Sequence, residues 1–195
     1  MENLEVIYYP HPTLRHKSKP ILRVDNELKD MVRRMFELMY EHKGIGLAAN
    51  QVDLPFQLFI LNLESDPEKG EEMVFINPVI SLPKGSDVAE EGCLSIPKVY
   101  GKVARPENIH VKAYNLKGEV FDDRVSGLFA RAIQHETDHL HGVLFPDRMT
   151  ETEGKLIEHE LDEFRIDFES RQRLGSIPDR ESIMKRLAAL EQRYC

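Results

Sequence analysis

Residues 134–140 of this 195-residue chain read Gln-His-Glu-Thr-Asp-His-Leu, an H-E-x-x-H arrangement. On a helix, four residues advance about 400°, so His135 and His139 project roughly 40° apart and one turn along the axis, with Glu136 about 60° from His139. Two imidazoles so placed can grip one metal ion with a carboxylate beside it. The flanking residues supply the helix: Ser126 as N-cap, then Leu128, Phe129, Ala132, Ile133 and Leu140 at helical spacing, and Gly142 as the C-terminal stop. Burying imidazoles and a carboxylate without a compensating ligand is costly, which is the physical reason to expect a metal. A solvated helix that carries two histidines by chance is the competing reading.

A catalytic divalent ion takes three protein ligands and keeps one position open to water, whose pKa it lowers toward neutrality. Residue types alone leave the third ligand open. The extended H-E-x-x-H-x-x-G-x-x-H pattern has its Gly142 but needs a histidine where Phe145 stands. A downstream carboxylate, Glu158 or Glu160, would make a peptidase-like site. Cys93, the only internal cysteine, would make a Cys-His-His site, although a lone cysteine is also a common small core residue. A closed structural site would need a fourth ligand such as His141 or His159, and would leave Glu136 without a purpose.

These side chains need a framework to hold them. With 41% hydrophobic residues the chain can build the core of one domain. A net charge of −8 excludes a global field toward nucleic acid or an acidic membrane surface, so no direct DNA binding is expected. No apolar run approaches a membrane span. The first thirty residues lack a signal pattern, and Glu2, Glu5 and Asp25 argue against a transit peptide. Two cysteines make no disulfide framework, so a reducing, intracellular compartment is expected, with Cys195 an exposed thiol.

Residues 4–24, broken by Pro10, Pro12 and Pro20, read as an extended arm whose His11 and His16 are surface or turn histidines. From Asp25, the spacing of Leu28, Val32, Met35, Phe36 and Met39 predicts an amphipathic helix ending near Gly44, with Met31, Met35 and Met39 as core filler. Residues 44–51, Gly-Ile-Gly-Leu-Ala-Ala-Asn-Gln, read as a loop of small residues that lets a ligand approach the main chain; Gln51 could aim an amide N–H at a substrate oxygen. Strands are predicted over 56–63 and 73–82, and a hairpin over 109–116 and 119–125 leads into the H-E-x-x-H helix. Residues 151–173 read as a charged, partly exposed helix, and 182–194 as an amphipathic one carrying Ile183, Leu187 and Leu190.

Three stretches together, G-I-G-L-A-A-N-Q at 44–51, E-G-C-L-S at 91–95 and Q-H-E-T-D-H at 134–139, resemble the three motifs of the peptide deformylase family, in the right order. The resemblance covers approximately residues 4–150, including the P-x-L-R arm at Pro12–Arg15. It implies an α+β fold: a central H-E-x-x-H helix against mixed and antiparallel strands, with a C-terminal helical extension. The corresponding division is a catalytic domain over 1–150 and a charged helical extension over 151–195 that is not a separate domain. The implied activity is a metal-dependent hydrolase that removes the formyl group from the N-terminal formylmethionine of nascent polypeptides and releases formate. Carried over by position, Cys93, His135 and His139 bind the metal, and Glu136 is the general base and acid as metal-bound hydroxide attacks the formyl carbon. The Gln51 side chain and the Leu94 backbone N–H stabilise the oxyanion. The family's usual metal is ferrous iron, with nickel, cobalt or zinc also accepted by the same donors.

A methionine side chain needs an apolar pocket. Helix geometry puts Leu128 and Ala132 on the histidine face, Ile45 forms a third wall, and Gly46 leaves room for substrate backbone. Arg131 lies at the edge of that face, either lining the pocket mouth or pointing into solvent. Tyr100 stands where some bacterial members carry a substrate-binding arginine. Asp138 is expected to pair with Arg105. The expected partners are N-formylmethionyl nascent peptides. In some members a C-terminal helix contacts the ribosome near the exit tunnel, for which Lys185, Arg186 and Arg193 are the candidates; the alternative is a helix packed on the body or on a second subunit. A cytoplasmic protein, bacterial rather than organellar, is expected.

Overall fold

Asp25 starts the first helix, α1 (Asn26–Glu41), because its carboxylate accepts the Leu28 amide at 2.9 Å and satisfies one of the N–H groups a helix start leaves free. The computed structural model describes residues 4–195, so Glu2 lies outside the described residues. Along α1, Leu28, Val32, Met35, Phe36 and Met39 are buried and Met31 packs partly against them, as the spacing predicts. The stop differs by one residue: Lys43, at φ +56°, takes the left-handed conformation expected of Gly44.

The sheet then forms in two parts. A five-stranded sheet has the order β1-β2-β3-β6-β7, comprising β1 (Gly46–Ala48), β2 (Leu58–Leu61), β3 (Met73–Lys84), β6 (Asn108–Tyr114) and β7 (Val120–Ser126). A separate two-stranded sheet pairs β4 (Asp87–Cys93) with β5 (Ile96–Arg105). Among the described residues every ladder is antiparallel and the Lys19–Phe56 bridge is the one parallel pairing, within the mixed and antiparallel strands expected. Asn77-Pro78 bends β3 as anticipated: Asn77 sits at φ +52°, the register shifts there, and its side chain exchanges two 2.8 Å hydrogen bonds with the Ile21 backbone, pinning the arm. Residues 44–51, read as a loop, hold the short β1 followed by a 3₁₀ turn at Ala49–Val52.

Helix α2 (Gly127–Leu140), which carries the H-E-x-x-H residues, buries Ala130, Ile133 and Leu140 against Phe59, Phe75 and Val111 of the large sheet. Ser126 occupies the N-cap position, but its hydroxyl makes no cap hydrogen bond. The stop is Gly142: its φ is +73°, and a Cβ there would come within 2.6 Å of the Arg15 carbonyl oxygen.

Beyond lie α3 (Glu151–Leu156), α4 (Glu158–Arg173) and α5 (Arg180–Tyr194). α4 is mostly exposed, as its charge pattern indicates. α5 lays Ile183, Leu187 and Tyr194 onto the body, with Tyr194 against the Phe56 ring at 5.1 Å. Arg186 pairs with Asp53 and Arg193 with Glu27, so two of the three cations considered for the ribosome are engaged within the chain. The extension also covers the arm, which corrects the reading of its histidines. His11 is buried, its ring edge-on to Phe168 at 6.0 Å, and burial lowers its pKa against the opposing pull of Asp53. His16 Nε2 lies 2.7 Å from Glu191. Cys195 is half-buried rather than exposed, and burial and the Glu191 charge push its thiol up to about 11. Among the described residues no helix is long and apolar enough to cross a membrane.

Glu191 is the electrostatic tie between α5 and the arm. Burial favours its neutral form, but hydrogen bonds from Lys19 and His16 prevail and hold its pKa below 4.5. A depressed carboxylate pKa contributes stability that is complete above the unfolded value and is lost as pH falls through the folded one. Urea unfolding should therefore show an acid limb below about pH 4.5 that Glu191→Gln flattens. An identical limb in the variant would remove Glu191 as its source.

Candidate metal centre

β4 and α2 bring their functional atoms together. Cys93 ends β4, and the Leu94-Ser95 turn returns the chain into β5. Its Sγ lies 3.3 Å from His139 Nε2, which lies 3.3 Å from His135 Nε2, and the three atoms fall within 4.8 Å of one another. Two nitrogens bound to one tetrahedral ion at about 2.0–2.1 Å stand roughly 3.3–3.4 Å apart, so the imidazole spacing suits such an ion. The donor set agrees: one soft sulfur and two imidazole nitrogens are ligands for a divalent transition metal. His135 Nδ1 lies 2.9 Å from Glu91 Oε2, so that nitrogen donates and leaves Nε2, which faces the centre, as the one that would bind an ion. Two buried polar atoms beside the cluster, Glu136 Oε2 and His139 Nδ1, have no hydrogen-bond partner among the described residues.

The electrostatics call for a cation at this point. Burial opposes charge on His135, yet hydrogen bonds to Cys93 and Glu91 and the charge of Glu136 overcome it and raise its pKa to about 10. His139, more deeply buried and facing His135, is driven well below the ordinary histidine value by burial and by the charge of His135. Cys93, Glu91 and Glu136 thus surround a place where one positive centre is stabilised. Glu136 itself is pushed up to about 7 by burial, against the pull of His135 and Arg105, which suits a group that must both accept and return a proton near neutrality. It lies against Gly46, where a Cβ would fall 2.5 Å from its Oε1.

Gln51 is buried, accepts the Ala48 amide at 2.8 Å, and directs its Nε2 at Cys93 Sγ and Ser95 Oγ, each at 3.3 Å. A cavity of about 550 Å³ opens beside these groups, lined by Gln51, Cys93, Leu94, His135 and Glu136, and by the pocket residues Ile45, Gly46, Leu128, Arg131 and Ala132. Leu128 stands at its rim, 57% exposed. Tyr100 also lines it, its ring lying across Gly92, where a Cβ would meet Cδ1 at 2.8 Å. Arg131 is not the outward, solvated arginine: its side chain is 11% exposed and engages protein acceptors. Glu158 and Glu160 sit on the exposed first turn of α4, away from the cluster, which removes the downstream-carboxylate arrangement. His159 is exposed, and His141 Nδ1 bonds the Thr137 carbonyl, so neither joins the cluster as a fourth ligand.

Glu91 is the functional residue that sequence reasoning passed over. No local signal marked it: β4 is poor in strand-forming residues, and its pairing register shifts between Gly92 and Cys93, so two-residue alternation does not carry Glu91 to the Cys93 side. Its carboxylate accepts Arg105 Nε at 2.6 Å and Nη2 at 2.9 Å, and these bonds, with that to His135, hold its pKa well below the carboxylate range despite burial. The expected Arg105–Asp138 pair is present at 2.8 Å, and Arg148 also reaches Asp138 at 2.6 Å. Removing one member of a buried pair strands its partners, at a cost of about 3–5 kcal/mol. Arg105→Ala should lower the unfolding free energy by about 3 kcal/mol, since Arg131 and Arg148 leave Glu91 and Asp138 partly compensated. It should also speed loss of metal to a chelator; unchanged stability and retention would show that the pairs do not brace the site.

The comparisons agree with this geometry. The polypeptide deformylase family model matches residues 3–155. The peptide deformylase of Rhodopirellula baltica is 47% identical over 191 residues, covering 98% of this chain and 95% of that one. That of Acinetobacter baumannii is 44% identical over 142 residues, 72% of this chain and 80% of the other. A plant peptide deformylase crystal structure superposes with a TM-score of 0.84 at 40% identity over 92% of this chain and 97% of its own. One from Plasmodium falciparum gives 0.82 at 38% identity, over 85% and 98%. Motifs, architecture and relatives therefore converge: the chain belongs to the polypeptide deformylase family, metal-dependent hydrolases that remove the formyl group from the N-terminal formylmethionine of nascent chains.

Proposed function

We propose that Cys93, His135 and His139 hold one divalent ion, ferrous iron in the cell, and that Glu136 moves the protons of deformylation. The observation that carries this reading is a buried carboxylate oxygen without a partner among the described residues, next to converging sulfur and imidazole donors at the wall of an open cavity. When bound, such an ion lowers the pKa of water and polarises a carbonyl oxygen. The rest falls to side chains. Glu136 takes a proton from the attacking water as its oxygen joins the formyl carbon, and gives it to the leaving amine as the C–N bond breaks, so that formate and a free N-terminus result. Charge develops on the formyl oxygen, where the Gln51 Nε2–H and the Leu94 backbone N–H donate, each interaction contributing roughly 3 kcal/mol. Ile45, Leu128 and Ala132 receive the methionine side chain, and Gly46 lets the peptide backbone approach.

In this reading residues 1–150 form the catalytic domain and 151–195 an extension docked on it. The protein works in the cytoplasm, most simply that of a bacterium, on N-formylmethionyl nascent peptides. Any contact with the ribosome near the exit tunnel uses the outward side of α5, where Lys185 lies, because Arg186 and Arg193 are paired inward. The deciding assay is formate release from a short N-formylmethionyl peptide by protein purified without oxygen and loaded with ferrous iron, compared with nickel, cobalt and zinc forms. Iron should give the fastest turnover; an inactive iron form beside an active zinc form would overturn the choice of metal. Inactivity of all four forms, despite bound metal, would overturn the assigned roles.

A further inference from the structure

Arg131 makes more contacts with the metal centre's framework than a pocket-edge residue requires. Nη1 donates to Glu91 Oε1 at 2.7 Å and to the Val103 carbonyl at 3.0 Å; Nη2 donates to the Asp87 carbonyl at 2.8 Å and to Asp87 Oδ2 at 3.1 Å. One guanidinium thus joins three elements: α2, on which it sits one turn before His135; β4, at both Asp87 and Glu91; and β5, at Val103. β4 needs this support, because it belongs to a two-stranded sheet and, among the described residues, pairs with β5 alone. It nevertheless carries the thiolate that must meet two imidazoles from a different element.

The contact with Glu91 gives Arg131 a second effect. Glu91 Oε1 receives Arg105 Nε and Arg131 Nη1, while Oε2 receives Arg105 Nη2 and His135 Nδ1. Arg105 alone could hold the carboxylate bidentately but would leave it free to tilt about that axis. Arg131 adds a donor from the helix that also carries His135, so the oxygen facing the imidazole is set relative to α2 itself. We propose that Arg131 is a positioning residue for the metal centre, clamping the cysteine strand to the histidine helix and orienting His135 through Glu91. Its guanidinium is consequently committed to the protein and does not bind substrate.

This inference rests on the Cys93-His135-His139 reading, and the test separates the two. Wild type, Arg131→Leu and Arg131→Lys are loaded with Co²⁺ and followed by visible absorption, by the rate of metal loss to a chelator, and by kcat and KM for formate release. If wild type shows no thiolate-to-cobalt absorption, the ligand assignment fails and takes the inference with it. If wild type shows it, Arg131→Leu should shift the band and lose metal about tenfold faster or more, the scale seen when an outer partner of a ligand is removed. Its kcat should fall while KM changes less than twofold. Arg131→Lys keeps the charge and the stem but has no planar fork, so it should restore only part of the retention. Should Arg131→Leu fail to fold, Arg131→Lys carries the test with the same readouts. Spectra and metal-loss rates equal to wild type in whichever variants fold would overturn the proposal, as would a selective rise in KM.

Discussion

Glu136→Ala should keep its metal, its fold and its KM, and lose 10²- to 10⁴-fold in kcat for formate release, about 3–5 kcal/mol of transition-state stabilisation. The size follows from what the carboxylate does twice in one turnover, accepting a proton from water and donating one to the amine. The retention follows from geometry, because Glu136 is not among the three converging ligand atoms. A separate readout checks the environment that tunes it. In the metal-free protein, burial raises its pKa from 4.5 to about 7. A raised carboxylate pKa makes ionisation unfavourable in the folded state, so stability should decline as pH rises from about 4.5 to about 7, and Glu136→Gln should remove that decline. A variant that turns over within tenfold of wild type would assign the proton transfer to another group.

The centre was legible in the sequence because helical spacing is rigid: His135, Glu136 and His139 needed only the 100° rule to be placed on one face. Cys93 was legible only through the order of three motifs, since its approach to His139 depends on a strand pairing with no clear local signal. β4 reads Asp-Val-Ala-Glu-Glu-Gly-Cys, with three acids and a glycine, all poor strand formers. What holds it as a strand is pairing along its whole length with β5, together with Arg105 and Arg131, which neutralise Glu91 from other elements. β5 was obscured in the same way, because its buried face alternates Val99, Gly101, Val103 and Arg105, half of them not apolar. Gly101 is small because Met149 and Phe145 pack over it. His11 was misplaced for a related reason. Its neighbours in sequence are prolines and polar residues, and the Phe168 ring that covers it is more than 150 positions away.

Cys93→Ala provides the sharper division between holding a metal and using it. The substitution removes the sulfur from a three-donor set and leaves two imidazoles, which cannot compensate, since a histidine pair lacks both the charge and the softness of a thiolate. Metal affinity should fall by more than the roughly 10- to 100-fold that loss of an outer partner costs. Thermal unfolding makes the comparison direct. An ion that binds only the folded protein stabilises it by RT ln(1 + [L]/Kd), about 2.7 kcal/mol at 100 times Kd, so wild type should melt at a higher temperature as metal is added. Cys93→Ala should melt at one temperature whatever the metal concentration, close to that of the metal-free wild type, because what is lost is a half-buried side chain with its contacts to Gln51 Nε2, His139 Nε2 and His135. It should also be inactive with every ion, whereas Glu136→Ala should show the full metal-dependent shift with almost no turnover. Two inactive variants that differ in this one respect separate the ligand from the base. A wild-type-like shift in Cys93→Ala would mean that the ion is held without the sulfur, and the third ligand would then have to be sought elsewhere on the cavity wall.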